Sequence, residues 1–182
     1  MNENEITELI QKIEIILKNV HNTFSSNSRQ AWTEKYHLEL GKLDPDKFEV
    51  YTKLIPNPGY REFMVDFSLS KKKNEKKDDW KIGYEGLVLA CETEWGKPDD
   101  VIYDFQKLAV IKAKIKLIIF QIENDTVDNF QKYCNDLKKS ITLDLLNDKS
   151  VYCFFCSGTS FDHRFYRYPE ISGQSKNNTE HK

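Results

Sequence analysis

An apolar run, Leu87-Val88-Leu89-Ala90-Cys91, ends in two acids spaced two apart, Glu92-Thr93-Glu94, followed by Trp95-Gly96. A strand alternates its side chains with a period of two, so Glu92 and Glu94 leave one face side by side. Paired anions on an otherwise buried strand repel each other and lose hydration, and a divalent cation is the simplest group that offsets both costs. Upstream, Phe63-Met64-Val65-Asp66-Phe67 carries a third acid within a second apolar run. Three carboxylates on two strands suggest a Mg²⁺ site, with Mn²⁺ as the alternative, held by Asp66, Glu92 and Glu94.

The elements that must position these acids follow from periodicity. Ile6, Leu9, Ile10, Ile13, Ile16 and Leu17 recur at helical spacing within Ile6 to Val20. Ser25 to Ser28 breaks that helix and caps a second, from about Arg29 to Leu40, which Gly41 and the Leu43-Asp44-Pro45-Asp46 turn end. Phe48 to Thr52 reads as a strand, and Pro56-Asn57-Pro58-Gly59 as a turn. Tyr60 to Leu69 is the next strand, with Phe63, Val65, Phe67 and Leu69 on one face and Met64, Asp66 and Ser68 on the other. Ser70 to Asp79, rich in lysine, makes an exposed hairpin tip, and Trp80 to Trp95 returns antiparallel. Pro98-Asp99-Asp100 opens a helix to about Lys112, where its acids suit the dipole. Ile115 to Gln121 is continuously apolar, as in the covered centre of a parallel pair. Strand, helix and strand in that order predict a right-handed crossover. Glu123-Asn124-Asp125 caps a further helix to about Ser140. Val151 to Cys156 is a core strand, and Phe161 to Tyr168 pairs beside it after the Ser157-Gly158 turn. This order predicts an α/β protein, a central mixed sheet flanked by helices on both faces. One domain spans 1–172, and 173–182 is a disordered polar tail.

Composition narrows the possible roles. The chain has 182 residues, 39% hydrophobic and 13% aromatic, enough for a real core. Its net charge of −2 gives no global basic field, so any nucleic-acid partner is met by local patches. Cys91, Cys134, Cys153 and Cys156 lie in apolar or helical segments and read as reduced thiols of a cytoplasmic protein. The start, Met1-Asn2-Glu3-Asn4-Glu5, is acidic where a signal peptide is basic. The longest apolar run, Ile115 to Ile122, contains Lys116 and is too short to span a bilayer, so no membrane partner is expected.

Asp66 on one strand of a hairpin, Glu92-x-Glu94 on the next, then a helix and a core strand, resembles the PD-(D/E)XK nuclease superfamily over Tyr60 to Gln121. Within it, the chain looks most like type II restriction endonucleases whose motif lysine is replaced. The resemblance implies a restriction-endonuclease-like three-layer core and a Mg²⁺-dependent endonuclease that hydrolyses phosphodiesters, with DNA the first expectation and RNA left open. Glu94 stands where that family has lysine, Val65 where it has proline, and the lysine-rich hairpin lengthens the spacer. A carboxylate-held Mg²⁺ stabilises charge on the phosphoryl oxygens and acidifies the attacking water. With the motif lysine absent, Lys107 is the candidate replacement, and a lysine moved onto this helix also occurs among relatives. Glu92 lies about 10 Å back from the strand end at ~3.3 Å per residue. Lys107 lies about 12 Å along the helix from Asp99 at ~1.5 Å per residue. A helix packed back along the strand therefore brings Lys107 level with Glu92.

Each of these residues has a plainer reading. Glu92 and Glu94 suit the wet face of an antiparallel strand, although Leu87 to Cys91 shows no wet alternation. Asp66 alone reads as a solvated strand residue. Asp104 and Lys107, three apart, suit a surface ion pair. The lysines at 71–77 suit a solvated loop, or contacts to phosphates. Cys153-x-x-Cys156 with His163 is half a zinc site at most, and the two thiols point to opposite strand faces. His163, Arg164, Tyr166, Arg167 and Tyr168 suit an edge strand or a nucleic-acid face. Glu34 and Glu39 on the second helix are further candidate ligands. The rival function is a catalytically inactive module of the same fold that binds nucleic acid or serves assembly. A double-strand cutter of this size requires a homodimer, and the helix Ile6 to Leu17 either forms that contact or caps the sheet.

Overall fold

The computed structural model of the chain describes residues 1–52, 64–72, 87–122, 126–158 and 163–169. The first helix, α1 (Glu3–Thr23), opens on a reciprocal cap. Asn2 Oδ1 accepts from the Glu5 amide, and Glu5 Oε2 accepts from the Asn2 amide. Its apolar stripe, Leu9, Ile10, Ile13, Leu17 and Val20, is buried. Ser28 caps α2 (Arg29–Leu40) by accepting from the Ala31 amide, as its position before the helix predicts.

Among the described residues, six strands form one sheet in chain order: β1 (Phe48–Thr52), β2 (Phe67–Lys71), β3 (Leu87–Glu94), β4 (Ala113–Phe120), β5 (Val151–Ser157) and β6 (His163–Tyr168). β1, β2 and β3 pair antiparallel, β3, β4 and β5 pair parallel, and β6 returns antiparallel on β5. The switch to parallel pairing requires a crossover between β3 and β4, and α3 (Pro98–Val110) supplies it. Pro98 at its first turn needs no amide partner, and Asp100 caps the Lys97 amide at 3.0 Å. A second crossover carries α4 (Val127–Lys139), capped by Thr126, and the short α5 (Leu143–Leu146), which has no clear periodic signal.

Two apolar clusters, one on each face, make three layers. The first packs α1 and α2 against Phe67, Leu69, Leu89, Cys91, Leu117, Ile119, Cys153 and Phe155. The second packs α3, α4 and α5 against Ala90, Ile118, Phe120, Phe154 and Cys156. The α/β class, the mixed sheet and helices on both faces are thus as the sequence predicts. β4 is buried along nearly its whole length, as its unbroken apolar run requires of a central strand. No described helix is long and apolar enough to cross a membrane.

The expected strand from Tyr60 to Leu69 is corrected by the structure. β2 begins only at Phe67, and residues 64–66 form a bend in which Met64 takes φ 59°. A left-handed residue breaks the pleat and resets the alternation. Val65 therefore packs into the second cluster while Phe67 and Leu69 pack into the first. The Pro56–Gly59 turn, Phe63, the hairpin tip beyond Lys72, the expected cap at Glu123 to Asp125 and the tail lie outside the described residues.

Candidate functional site

β3 is buried from Leu87 to Thr93, so Glu92 does not belong to a wet face, while Glu94 at the strand's end is half-buried. Its register on β4 sets Glu92 opposite Ile118 and Glu94 opposite Phe120, both on the side packed by α3. Thr93, between them, turns to the other face and meets His37 of α2, with Nε2 and Oγ1 3.0 Å apart. On the antiparallel side Phe67 pairs with Cys91, so the residue before it, Asp66, falls beside Glu92. Asp66 Oδ2 accepts from the Thr93 amide at 3.1 Å. The bend ahead of β2 turns Asp66 onto the end of β3 instead of leaving it in mid-strand.

α3 lays its inner face over this end of the sheet through Val101, Phe105 and Leu108. That packing brings Lys107 level with Glu92, and Lys107 Nζ lies 2.8 Å from Glu92 Oε1. The same ammonium donates to Asp104 Oδ1 at 3.0 Å, so the helical pair and the strand acid share one cation. Glu92 is only 1% exposed, and among the described residues no hydrogen-bond donor other than the Lys107 ammonium reaches its carboxylate oxygens. The Lys107 side chain is 36% exposed and reaches inward from the helix surface.

The electrostatics follow. Burial lifts the Glu92 carboxyl from 4.5 to about 8; Lys107 opposes the lift, while Asp66 and Asp104 reinforce it. Burial works against the charge on Lys107, yet Glu92 and Asp104 outweigh it and raise that group. The two shifts pull apart, since a protonated Glu92 is no partner for an ammonium. Asp104 reconciles them by holding Lys107 charged in either state of Glu92. Burial also raises Glu94, against the Gly96 amide that its Oε1 accepts from, and Asp104 adds to the rise.

Asp66, Glu92 and Lys107 thus come together, while Glu94 shares the face but turns to the Gly96 amide. Among the described residues no three carboxylate, imidazole or thiol groups are arranged to hold a metal ion, so the three acids are neighbours rather than a formed cage. The donor chemistry nonetheless fits a hard cation. Among the described residues, no donor but the Lys107 ammonium reaches the two buried oxygens of Glu92, so a cation already sits against one of them.

Other candidates lie elsewhere. Glu34 accepts from Gln30, and Glu39 pairs with Lys35 and Lys42; α2 carries both in the layer across the sheet from the acids. The lysines of Glu39 lower its carboxyl. Cys153 and Cys156 point into opposite clusters, as strand alternation requires, and all four cysteines are buried and outside any disulfide. β6 forms an edge of the sheet, with every residue half-buried. Lys71 and Lys72 are exposed, and the rest of the lysine run lies outside the described residues. Asp104, in sequence only a surface partner for Lys107, also acts on Glu92 and Glu94 in the fold. The spacing of three to Lys107 was the only signal. Sequence reasoning also missed His37 and His21, the latter 3.1 Å from Ser157 Oγ, because a single buried histidine leaves no periodic mark.

No family model, no curated protein and no solved structure matches this chain. Fold and site define a class: a three-layer α/β protein with a buried acid, a second acid beside it and a lysine shared with a third.

Proposed function

We propose that the chain is a divalent-metal-dependent nuclease that hydrolyses phosphodiester bonds, in DNA before RNA. The observation that carries this reading is the meeting of Asp66, Glu92 and Lys107 at one end of β3. Residues from three separate elements converge there, and the end lies where antiparallel pairing gives way to a parallel crossover. Open α/β sheets commonly bind ligands outside the ends of their parallel strands. The resemblance to the PD-(D/E)XK arrangement supports it from the sequence side.

Asp66 and Glu92 are the residues that would hold Mg²⁺ or Mn²⁺. When bound, such a cation supplies Lewis-acid stabilisation of the phosphoryl oxygens and a more acidic water. Lys107 contributes a positive charge from α3 toward a phosphate's anionic oxygens. Glu94, raised in proton affinity by burial, is suited to take the proton that the attacking water loses. Incubating purified protein with single- and double-stranded DNA and RNA, with Mg²⁺ or Mn²⁺, tests the reading. Cleavage that chelation stops and Glu92→Ala abolishes is the expected result; intact substrates under every condition sink it.

One observation favours a second reading. Glu92 already has a cation against it, and among the described residues no three ligands converge. A non-catalytic module would keep this ion pair to pin α3 onto β3, and would bind nucleic acid or a protein without cutting. In that case Mn²⁺ titration finds only weak binding that Glu92→Ala does not alter.

A further inference from the structure

We propose that Lys107 is the resident counter-ion of Glu92, and that a divalent cation must displace it to reach that carboxylate. The inference rests on the metal-site reading above and assigns Lys107 a gating role within it. Glu92 is 1% exposed, and among the described residues no donor other than the Lys107 ammonium reaches its oxygens, so that ammonium carries the neutralising charge. The ammonium 2.8 Å from Oε1 fills the place from which a small cation would bind. Mg²⁺ sits about 2.0–2.1 Å from its oxygen ligands, inside the space the ammonium occupies. Two cations on one buried oxygen repel each other strongly, because little solvent screens them.

Lys107 is built to leave. Its side chain is 36% exposed, where that of Glu92 is buried, and its four-carbon stem is flexible. Tyr103, one turn earlier on α3 and 65% exposed, has its ring centroid 5.9 Å from the ammonium. The ammonium thus already lies over an aromatic face and against Asp104 at 3.0 Å, two partners that remain to it once Glu92 is given up. The cluster keeps a neutral Glu92–Lys107 pair without metal, and exchanges it for a Glu92–metal pair with Lys107 at the rim.

Two measurements on the full chain at pH 8 test this. Mn²⁺ is titrated calorimetrically into wild type, Lys107→Met and Glu92→Gln, and lysine acetylation of wild type is followed by mass spectrometry with and without Mn²⁺. Displacement predicts that Lys107→Met binds Mn²⁺ about tenfold or more tightly than wild type, because the competing charge is gone. It also predicts that Glu92→Gln loses the site and that Mn²⁺ raises the acetylation of Lys107 severalfold. Equal or weaker binding by Lys107→Met, with wild-type binding still dependent on Glu92, overturns the gate and leaves the metal site standing. Absence of Mn²⁺ binding in both wild type and Lys107→Met overturns the metal-site reading and the gate together. Should Lys107→Met fail to fold, the acetylation of wild type decides, and labelling unchanged by Mn²⁺ overturns the proposal.

Discussion

Removing Glu92 from water leaves a carboxyl whose proton is held more tightly in the folded chain than in the unfolded one. Its value rises from 4.5 to about 8, so between those limits the folded state binds more protons than the unfolded state. Stability from this group is complete below pH 4.5 and is lost as pH climbs through 8. A shift of that size corresponds to at most about 5 kcal/mol, reduced in practice by relaxation around Lys107. Denaturant unfolding from pH 5 to 9 is expected to show a falling midpoint. In Glu92→Gln that fall flattens, and at pH 9 the variant is more stable than wild type by about 1–3 kcal/mol. A carboxyl carbon at position 92 that titrates near 4.5 by NMR contradicts this.

Two junctions decide whether the elements keep the acids in place. At Gly96 the chain leaves β3 for α3, and an added Cβ would lie 2.6 Å from Asp100 Oδ2 and 2.7 Å from Glu94 Oε1. Both atoms end side chains that can swing away, but each then abandons a backbone amide: Lys97 for Asp100, Gly96 for Glu94. Gly96→Ala is expected to cost about 1–2 kcal/mol in chemical denaturation, the worth of a lost cap. The second junction is Lys116 on β4, whose ammonium is fully buried. It donates to Ala109 O at the end of α3, to Asp148, and to Tyr152 of β5. Burial lowers its proton affinity, against Asp148, which raises it. Lys116→Ala leaves three acceptors without their donor and a cavity between layers, so a loss of about 3–5 kcal/mol is expected in the same assay.

At the scale of the whole molecule, the apolar surplus of α1 is consumed internally. Leu9, Ile10, Ile13, Leu17 and Val20 pack into the first cluster under α2, which is the capping outcome rather than a two-fold contact. Ile15, 58% exposed, is one of few large apolar side chains of α1 left outside. The thermal midpoint is therefore expected not to move with protein concentration, and Ile13→Ala to lower stability by about 2–5 kcal/mol without changing the mass seen by light scattering. A midpoint that climbs with concentration, or a dimer that Ile13→Ala dissociates, reverses this and restores α1 as an interface.

The sequence by itself determined what lies within a short window. The period of two fixes Glu92 and Glu94 on one side of β3, the apolar run fixes β4 as a covered central strand, and Ser28 and Pro98 mark where helices begin. Helix rise against strand rise even matched Lys107 to Glu92, because both lengths are backbone constants. Tertiary structure alone decided the rest. The left-handed Met64 moved Asp66 out of mid-strand and onto the Thr93 amide. The Gly96 amide drew Glu94 aside, and Asp104 became a shared neighbour of Lys107, Glu92 and Glu94. Those outcomes depend on which buried charges compete for which cation and amide across separate elements. Periodicity sets where a side chain starts, while the pairing of its charged end depends on elements distant in sequence that only folding brings together.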